Sequence, residues 1–315
     1  MKVIVQIPCF NEEATLPLVM ADMPKQIPGV DTLEYLVVDD GCTDNTVAVA
    51  EKLGVHHIVT HAANMGLARS FRDGTDRALE LGADIVVNTD GDNQYPQARI
   101  PDLIQPILKG QAHIVIADRE THKIAHFSRL KKFLQKAGSF VVSKAAGTDI
   151  PDAVSGFRAY SREALLQINP ITRFSYTVET IIQAGNKGLS IMSIPIATNP
   201  KTRESRLFKS YYQLVFKQMV TIMRAYTMYR PYVIFGWIGW VLFITGLFPF
   251  ARFILHSLAD GTTRGHIQSL LIGSVLMIGA FLCLVLNIIA DLIRINRTLI
   301  ENNLEQTRRI RFSKD

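Results

Sequence analysis

Residues 84–94, with the sequence DIVVNTDGDNQ, place an apolar run of strand-forming residues directly before two aspartates, Asp90 and Asp92. Four further short runs share this apolar character, so that strands are predicted at residues 2–8, 33–39, 55–60, 84–89 and 113–117. Amphipathic segments separate these strands, and helices are predicted near residues 12–22, 44–53, 66–81 and 100–108. This alternation predicts βαβ units and a mainly parallel sheet, and therefore an α/β fold.

Polar clusters follow three of the predicted strands, at residues 11–13 (NEE), 39–41 (DDG) and 90–92 (DGD). In sheets of this kind ligands bind beyond the carboxyl ends of the strands, so we expect one site there. Asp90 and Asp92 can share a hard cation, and Gln94 can add a carbonyl oxygen, because Mg²⁺ takes one or two carboxylates with water and substrate phosphates. Taken alone, an Asp-x-Asp pattern also occurs in ordinary turns, and the DDG cluster also fits a turn before a helix cap.

Charge divides the chain into two parts. The first 118 residues contain 8 Lys and Arg against 17 Asp and Glu, whereas the rest contains 26 against 11. The second part is therefore suited to lie against an anionic surface. The 3 cysteines have no disulfide or zinc spacing. The first residues lack the apolar core of a signal peptide, so we expect the amino terminus to stay in the cytoplasm.

Two segments without charged residues predict membrane spans. They cover residues 232–251 and 267–290, and about 20 residues suffice to cross the hydrocarbon core. Tyr232, Trp237 and Trp240 fit an aromatic belt, and basic flanks at residues 201–230 and 294–315 predict that both flanks face the cytoplasm. Basic and apolar residues alternate in segments 126–146 and 207–231, which favours amphipathic helices at the membrane surface. A core helix with a solvated basic face is the alternative for each segment.

Five motifs occur in a fixed order along the chain: IPCFNEE (7–13), VVDDGCTDNT (37–46), NxG (64–66), DGDNQ (90–94) and DAVSGFR (152–158). Together they resemble the family 2 inverting glycosyltransferases, and more narrowly the polyisoprenyl-phosphate glycosyltransferases, which include dolichol-phosphate mannose synthases and the bacterial Gtr-type glucosyltransferases. The resemblance implies a GT-A domain at 1–206 with an interface segment at 126–146. The charge and apolar pattern adds juxtamembrane amphipathic helices at 207–231, two transmembrane helices within 232–293, and a cytoplasmic tail at 294–315.

The resemblance also implies the roles of individual residues. The nucleotide-sugar would be bound by Pro8, Phe10, Glu12, Asp39, Asp90 and Gly91. The metal, Mg²⁺ or Mn²⁺, would be held by Asp90, Asp92 and Gln94. The acceptor phosphate would be met by Arg119, Arg129, Lys131, Arg203 and Arg206. The catalytic residues would be Asp90, Asp92 and Asp152, and Asp152 would act either as a base or by orienting Arg158 or a loop. The family often has RxxGxSK where this chain has KTRESR (201–206), which leaves single assignments there open.

The expected activity is inverting transfer of glucose from UDP-glucose to undecaprenyl phosphate, a polyisoprenyl phosphate lipid. A GDP-mannose-dependent mannose synthase and a non-catalytic membrane scaffold that binds nucleotide-sugars are the alternatives. A processive polysaccharide synthase would carry a Gln-x-x-Arg-Trp motif, and the only tryptophans lie in the first span. The expected partners are the donor, the lipid acceptor, the membrane, and further copies of the chain up to a tetramer. A nucleic-acid partner is not expected, because a nucleic-acid binder would not need two spans.

Overall fold

The computed structural model describes residues 1–120, 129–171, 176–200, 220, 223, 227, 231–260 and 267–313. Within these ranges the side chains of residues 129–131, 133, 134, 256, 257, 259, 260 and 267 are not described. The chain forms two compact units, of which the first comprises residues 1–222 and 301–315 and the second residues 223–300. Each unit is described by itself below.

The first unit is built on a seven-stranded sheet. Its strands are β1 (Lys2–Cys9), β2 (Thr32–Asp39), β3 (His57–Thr60), β4 (Ile85–Asn88), β5 (Ile114–Asp118), β6 (Arg158–Ser161) and β7 (Ile191–Pro195). They lie in the order β3-β2-β1-β4-β6-β5-β7, and only β6 runs antiparallel to its neighbours. The prediction of a mainly parallel α/β sheet is therefore confirmed. The sequence did not indicate β6 and β7, which are short and lie among helical segments.

Seven helices cover the sheet within the described part of this unit, before its carboxy-terminal segment. They are α1 (Leu16–Ala21), α2 (Thr46–Lys52), α3 (Leu67–Glu80), α4 (Ile100–Leu108), α5 (Arg129–Ala146), α6 (Arg162–Gln167) and α7 (Tyr176–Asn186). Apolar side chains of β1, β2 and β4 are buried, and α3 packs against these strands. Phe71 of α3 is buried against Tyr160 of β6 and Tyr176 of α7. Burial of each such side chain stabilises the fold by about 1.5–3 kcal/mol relative to exposure.

The register of the sheet brings the predicted polar clusters to one edge. Cys9 at the end of β1 pairs with Asp39 at the end of β2, and Gln6 pairs with Asn88 at the end of β4. The chain therefore leaves all three strands at the same side of the sheet, as the carboxyl ends of parallel strands require. This register, rather than any local pattern, creates the site.

Helix α5 coincides with most of the predicted interface segment, of which residues 126–128 lie outside the described part. Its buried side, with Val142 and Ala145, packs on the domain, while Phe140 is 62% exposed. The ammonium group of Lys144 lies 5.7 Å from the centre of the Phe140 ring. The helix thus contributes to the core on one side and presents an apolar and basic surface on the other. Nearly all of the predicted juxtamembrane segment 207–231 lies outside the described residues.

The second unit contains helix α8 (Pro231–Asp260) and most of helix α9 (Ile267–Arg311). Both are long and apolar enough to cross a membrane, with hydropathies of 2.0 and 2.6 in their candidate spans. In the apolar stretch of each helix only 6% and 11% of the residues are buried, unlike in the core helices of soluble domains. Within this unit a Cβ atom added to Gly246 would lie 3.0 Å from the Cβ of Leu276, so the two helices approach closely through a small residue.

The end of α9 belongs to the first unit. Arg308 is 7% exposed and donates from Nη1 to the backbone oxygens of Leu165 (2.8 Å) and Ile168 (2.7 Å). Its Nη2 forms an ion pair with Asp76 of α3. These bonds satisfy carbonyl groups that the end of α6 leaves without helical partners. The terminal residues, predicted as part of a tail, are thus helical to Arg311 and anchored on the domain.

Candidate functional site

The loop after β4 carries the aspartate pair. Strand β4 and Thr89 are fully buried, and Asp90, Asp92 and Gln94 that follow are half-buried. The Oδ1 of Asp92 accepts a hydrogen bond from the backbone N–H of Gln94 at 3.1 Å. Asn93 between them has a φ of +60°, a left-handed conformation that asparagine tolerates better than most residues. The loop is therefore a tight turn that places the two partly buried carboxylates at the carboxyl end of β4.

Two glycines allow neighbouring loops to approach the aspartates. A Cβ atom on Gly91 would lie 3.0 Å from Cys9 Sγ and 3.3 Å from the Cγ of Glu12. A Cβ atom on Gly156 would lie 3.1 Å and 3.2 Å from the two carboxylate oxygens of Asp90. The motif at 7–13 and the turn at 152–158 therefore both touch the aspartate loop, and a larger residue at either position would push them apart. Burial also raises the pKa of the Cys9 thiol well above its usual value.

The loop after β1 interlocks with the loop after β2. Asn11, which has a φ of +59°, accepts a hydrogen bond from the N–H of Thr43 at 2.7 Å. The backbone N–H of Glu12 donates to Thr46 Oγ1 at 2.8 Å, and the Glu12 carboxylate accepts from Thr15 Oγ1 at 2.7 Å. The predicted residues Pro8 and Asp39 thus lie at the ends of β1 and β2, and Phe10 and Glu12 lie on the loop that follows β1. Phe10 is exposed at this surface, whereas Glu12 and Asp39 are buried.

The second aspartate of the DDG cluster has a supporting role that the sequence did not reveal. The buried Asp40 carboxylate accepts from the backbone N–H groups of Met65 (2.8 Å) and Gly66 (2.9 Å), and its Oδ1 lies 2.8 Å from His61 Nδ1. Gly41 at a φ of +75° would place a Cβ atom 2.6 Å from the carbonyl carbon of Ala63. Asp40 and Gly41 therefore fasten the loop at 61–66 against the end of β2.

Arg119 and Asp152 form a buried ion pair beside the aspartate loop. Arg119 donates to the two carboxylate oxygens of Asp152 from Nε (2.6 Å) and Nη2 (3.0 Å), and its backbone N–H adds a third bond at 3.3 Å. The side chain of Asp152 is 1% exposed. Two parallel N–H···O bonds of this kind fix the orientation of a guanidinium group. The pair therefore sets the direction of Arg119, which is only partly buried.

The surroundings of Asp152 lower the pKa of its carboxyl group. Burial by itself raises the pKa of Asp152, but Arg119 and the hydrogen bonds to the carboxylate lower it overall. Burial likewise lowers the pKa of Arg119, while Tyr95, Asp152 and Asp90 raise it overall. A general base works best with a pKa near the operating pH, and a carboxylate with a lowered pKa is far from that condition. The described bonds of the Asp152 carboxylate include two from the Arg119 side chain, whereas the guanidinium of Arg158 donates to backbone oxygens and Thr180.

Arg158 of the same motif is fully buried and serves the fold. Its guanidinium donates to the backbone oxygens of Ser155 (2.7 Å), Ala153 (2.9 Å) and Thr177 (2.8 Å). It thereby closes the turn at 152–158 and ties it to α7. Arg158 thus fixes the backbone of the turn that contacts Asp90.

The remaining predicted acceptor-phosphate residues are only partly covered by the description. Arg129 and Lys131 lie in the first turn of α5, and their side chains are not described. Arg203 and Arg206 lie outside the described residues. Of the five predicted acceptor-phosphate residues, Arg119 is therefore the one with a described side chain, and this side chain lies beside the aspartate loop.

The donor set fits a hard divalent cation that shares its coordination with a substrate. No cluster of three or more His, Cys, Asp or Glu side chains suited to a metal occurs among the described residues. Asp90 and Asp92 with the Gln94 amide supply oxygen donors only, and Mg²⁺ and Mn²⁺ prefer oxygen ligands. Mg²⁺ in proteins is commonly bound by one or two carboxylates and keeps water and substrate phosphates as its other ligands. At a site of this composition, water and diphosphate oxygens would complete the coordination.

Comparison with known proteins identifies the family of the chain. Residues 4–168 match the model of the family described as glycosyl transferase family 2. The chain is 27% identical over 245 residues to a UDP-N-acetylglucosamine–dolichyl-phosphate N-acetylglucosaminyltransferase of Methanococcus voltae, covering 69% of this chain and 96% of that protein. It is 27% identical over 206 residues to a polyprenol monophosphomannose synthase of Mycolicibacterium smegmatis (62% and 76%). It is likewise 27% identical over 207 residues to an undecaprenyl-phosphate mannosyltransferase of Micrococcus luteus (62% and 83%).

A solved structure supports the fold. Glucosyl-3-phosphoglycerate synthase from Mycobacterium tuberculosis, crystallised with Mn²⁺, UDP-glucose and phosphoglyceric acid, superimposes with a TM-score of 0.53 at 22% identity. The match covers 70% of this chain and 79% of that one. The family model matches more than half of the chain, and the chain belongs to glycosyl transferase family 2.

Proposed function

We propose that the protein transfers a glycosyl group from a nucleotide-sugar to a polyisoprenyl phosphate with inversion at the anomeric carbon. The observation that carries this proposal is that Arg119, oriented by Asp152, lies close enough to Asp90 to feel its charge. We propose that the loop of Asp90 and Asp92 holds the metal and the donor diphosphate. The relatives named above act on dolichyl, polyprenol and undecaprenyl phosphates, which supports the choice of acceptor.

In this mechanism the nucleophile is an oxygen of the acceptor phosphate. The second pKa of a phosphate monoester is about 6, so that much of the acceptor is dianionic near pH 7 without help from a protein base. The larger task is to hold this anion near the diphosphate of the donor. Arg119, fixed by Asp152, would bind the acceptor phosphate and reduce the repulsion between the two anions.

The donor diphosphate would lie at the loop of Asp90, Asp92 and Gln94, with the nucleoside near Phe10 after β1 and Asp39 at the end of β2. A divalent cation held there would stabilise the charge of the departing diphosphate. In-line attack from the side of Arg119 breaks the bond between the anomeric carbon and the diphosphate oxygen and forms the new bond to the acceptor oxygen. We propose that Asp90 and Asp92 serve as metal ligands and that Asp152 serves as the residue that positions Arg119.

The proposed place of reaction is the cytoplasmic face of the cell membrane. The two candidate spans and the exposed Phe140 with Lys144 on α5 support attachment there. A lipid-linked phosphate is confined to the bilayer, and an enzyme held at the same surface meets it at a high effective concentration. Basic residues near the surface favour anionic head groups by about 1 kcal/mol each. Assembly of copies up to a tetramer remains part of the proposal.

UDP-glucose is the proposed donor, on the resemblance to Gtr-type glucosyltransferases. GDP-mannose is the second candidate, because two of the relatives named above are mannosyl transferring enzymes by name. The experiment incubates the purified full chain with undecaprenyl phosphate, Mg²⁺ or Mn²⁺, and one radiolabelled nucleotide-sugar at a time, followed by extraction into organic solvent. One donor should label the lipid phase in wild type and not in Asp92→Asn. Labelling by no donor contradicts the proposed activity, and equal labelling by the variant contradicts the proposed metal site.

A further inference from the structure

The segment that follows β7 connects the two halves of the candidate site. Strand β7 pairs with β5, and just beyond it the backbone N–H of Ile196 donates to the oxygen of Asp118 at 2.8 Å, next to Arg119. Three residues further, Asn199 reaches the aspartate loop. The segment 196–199 therefore spans the distance between the arginine and the aspartates within a few residues.

Asn199 holds two consecutive carbonyl groups of the aspartate loop. Its backbone N–H donates to the oxygen of Gln94 at 2.9 Å, and its side-chain Nδ2 donates to the oxygen of Asn93 at 3.1 Å. Asn93 has the left-handed conformation described above, and Asp92 accepts from the N–H of Gln94 in the same turn. One residue thus fixes the backbone directly after Asp92.

We propose that Asn199 is a positioning residue that couples the acceptor side of the site to the metal loop. It lies three positions after Ile196, whose backbone bond to Asp118 holds this segment next to Arg119. An acceptor phosphate bound by Arg119 would restrain the segment 196–199 and, through Asn199, the loop that carries Asp90 and Asp92. Because such coupling is reciprocal, the acceptor should tighten metal binding and the metal should tighten acceptor binding. This inference rests on the proposed function.

The test measures binding of Mn²⁺ in the presence of UDP by the electron paramagnetic resonance signal of free Mn²⁺, with and without undecaprenyl phosphate. Partners that orient metal ligands typically contribute about 10–100-fold in metal affinity, so Asn199→Ala should weaken Mn²⁺ binding by at least about tenfold. Undecaprenyl phosphate should tighten binding in wild type and have little effect in the variant. In activity assays the same variant should raise the Mn²⁺ concentration for half-maximal rate and lower kcat, with a smaller change in the acceptor KM.

Two further variants make the result specific. Asn199→Asp keeps the size of the side chain but replaces the donor by a carboxylate, so positioning predicts weaker Mn²⁺ binding, whereas simple attraction by an added negative charge predicts tighter binding. Thr198→Ala changes the adjacent residue and should bind Mn²⁺ as wild type does, and thermal unfolding of each variant checks that it is folded.

Normal Mn²⁺ binding by Asn199→Ala, tighter binding by Asn199→Asp, or an equal loss in Thr198→Ala would each overturn the positioning role alone. Wild-type protein that binds no Mn²⁺ in the presence of UDP would overturn the proposed function together with it.

Discussion

The substitution Asp152→Asn removes one charge of the buried ion pair and keeps the shape of the side chain. Three hydrogen bonds from Arg119 and one from Val154 end on this carboxylate. An asparagine keeps one acceptor oxygen and turns an NH₂ group toward a guanidinium that can only donate. Removing one partner of a buried pair costs about 3–5 kcal/mol. At about 2–4 °C per kcal/mol for a domain of this size, Tm should fall by roughly 6–20 °C.

The dependence of this loss on pH follows from the sign of the pKa shift. Arg119 and the hydrogen bonds hold the pKa of Asp152 below its usual value despite burial, so the pair stabilises the fold above the pKa of an unfolded aspartate, about 3.9. This contribution is lost as the pH falls through the lower pKa of the folded state. The difference in Tm between wild type and Asp152→Asn should therefore be constant above about pH 5 and narrow in more acidic solution.

The activity of the same variant distinguishes positioning from base catalysis. If Asp152 only orients Arg119, kcat/KM for the lipid acceptor should fall, and the acid limb of its pH profile should stay near the second pKa of phosphate, about 6. Thermal unfolding in detergent and labelled-sugar transfer between pH 5 and 9 measure both effects. Asp149→Asn, in the same loop but exposed, is the matched control and should behave as wild type. Loss of the acid limb in Asp152→Asn would refute positioning, and an unchanged Tm would refute the ion pair.

Three further substitutions test other parts of the site and fold. Asp92→Asn should lower kcat by roughly 10²–10³-fold in steady-state assays, because a metal stabilises the transition state by several kcal/mol and each 1.36 kcal/mol is about tenfold in rate. Asp102→Asn, on the exposed side of α4, is the control and should leave kcat unchanged. Gly41→Ala should raise the donor KM about tenfold or more, because its left-handed φ of +75° costs an alanine about 1–2 kcal/mol and the added Cβ meets backbone. Arg308→Ala should lower stability by about 3–5 kcal/mol and Arg311→Ala, which is exposed, by less than about 1 kcal/mol in denaturant unfolding.

The sequence by itself determined the parts of this protein that depend on local pattern. Alternating apolar runs set the parallel strands, since side-chain periodicity is a property of neighbouring residues. The position of acidic clusters just after those runs indicated the ligand-binding edge, because all parallel strands end on one side. Long segments without charge indicated two candidate spans, since length and hydropathy alone decide whether a helix can cross a bilayer. The family followed from motif order, and the match over residues 4–168 confirms it.

Only the tertiary structure decided which of these residues act together. The bond of Asp152 to Arg119, the burial of Arg158 as a brace, and the hold of Asn199 on the aspartate loop join residues far apart in sequence. The antiparallel insertion of β6 between β4 and β5 and the docking of Arg308 under α6 are of the same kind. Such contacts arise from the packing of whole elements, and a single sequence carries no local signal for the partner of a given side chain, because hydrogen bonds and burial depend on distance in space rather than along the chain.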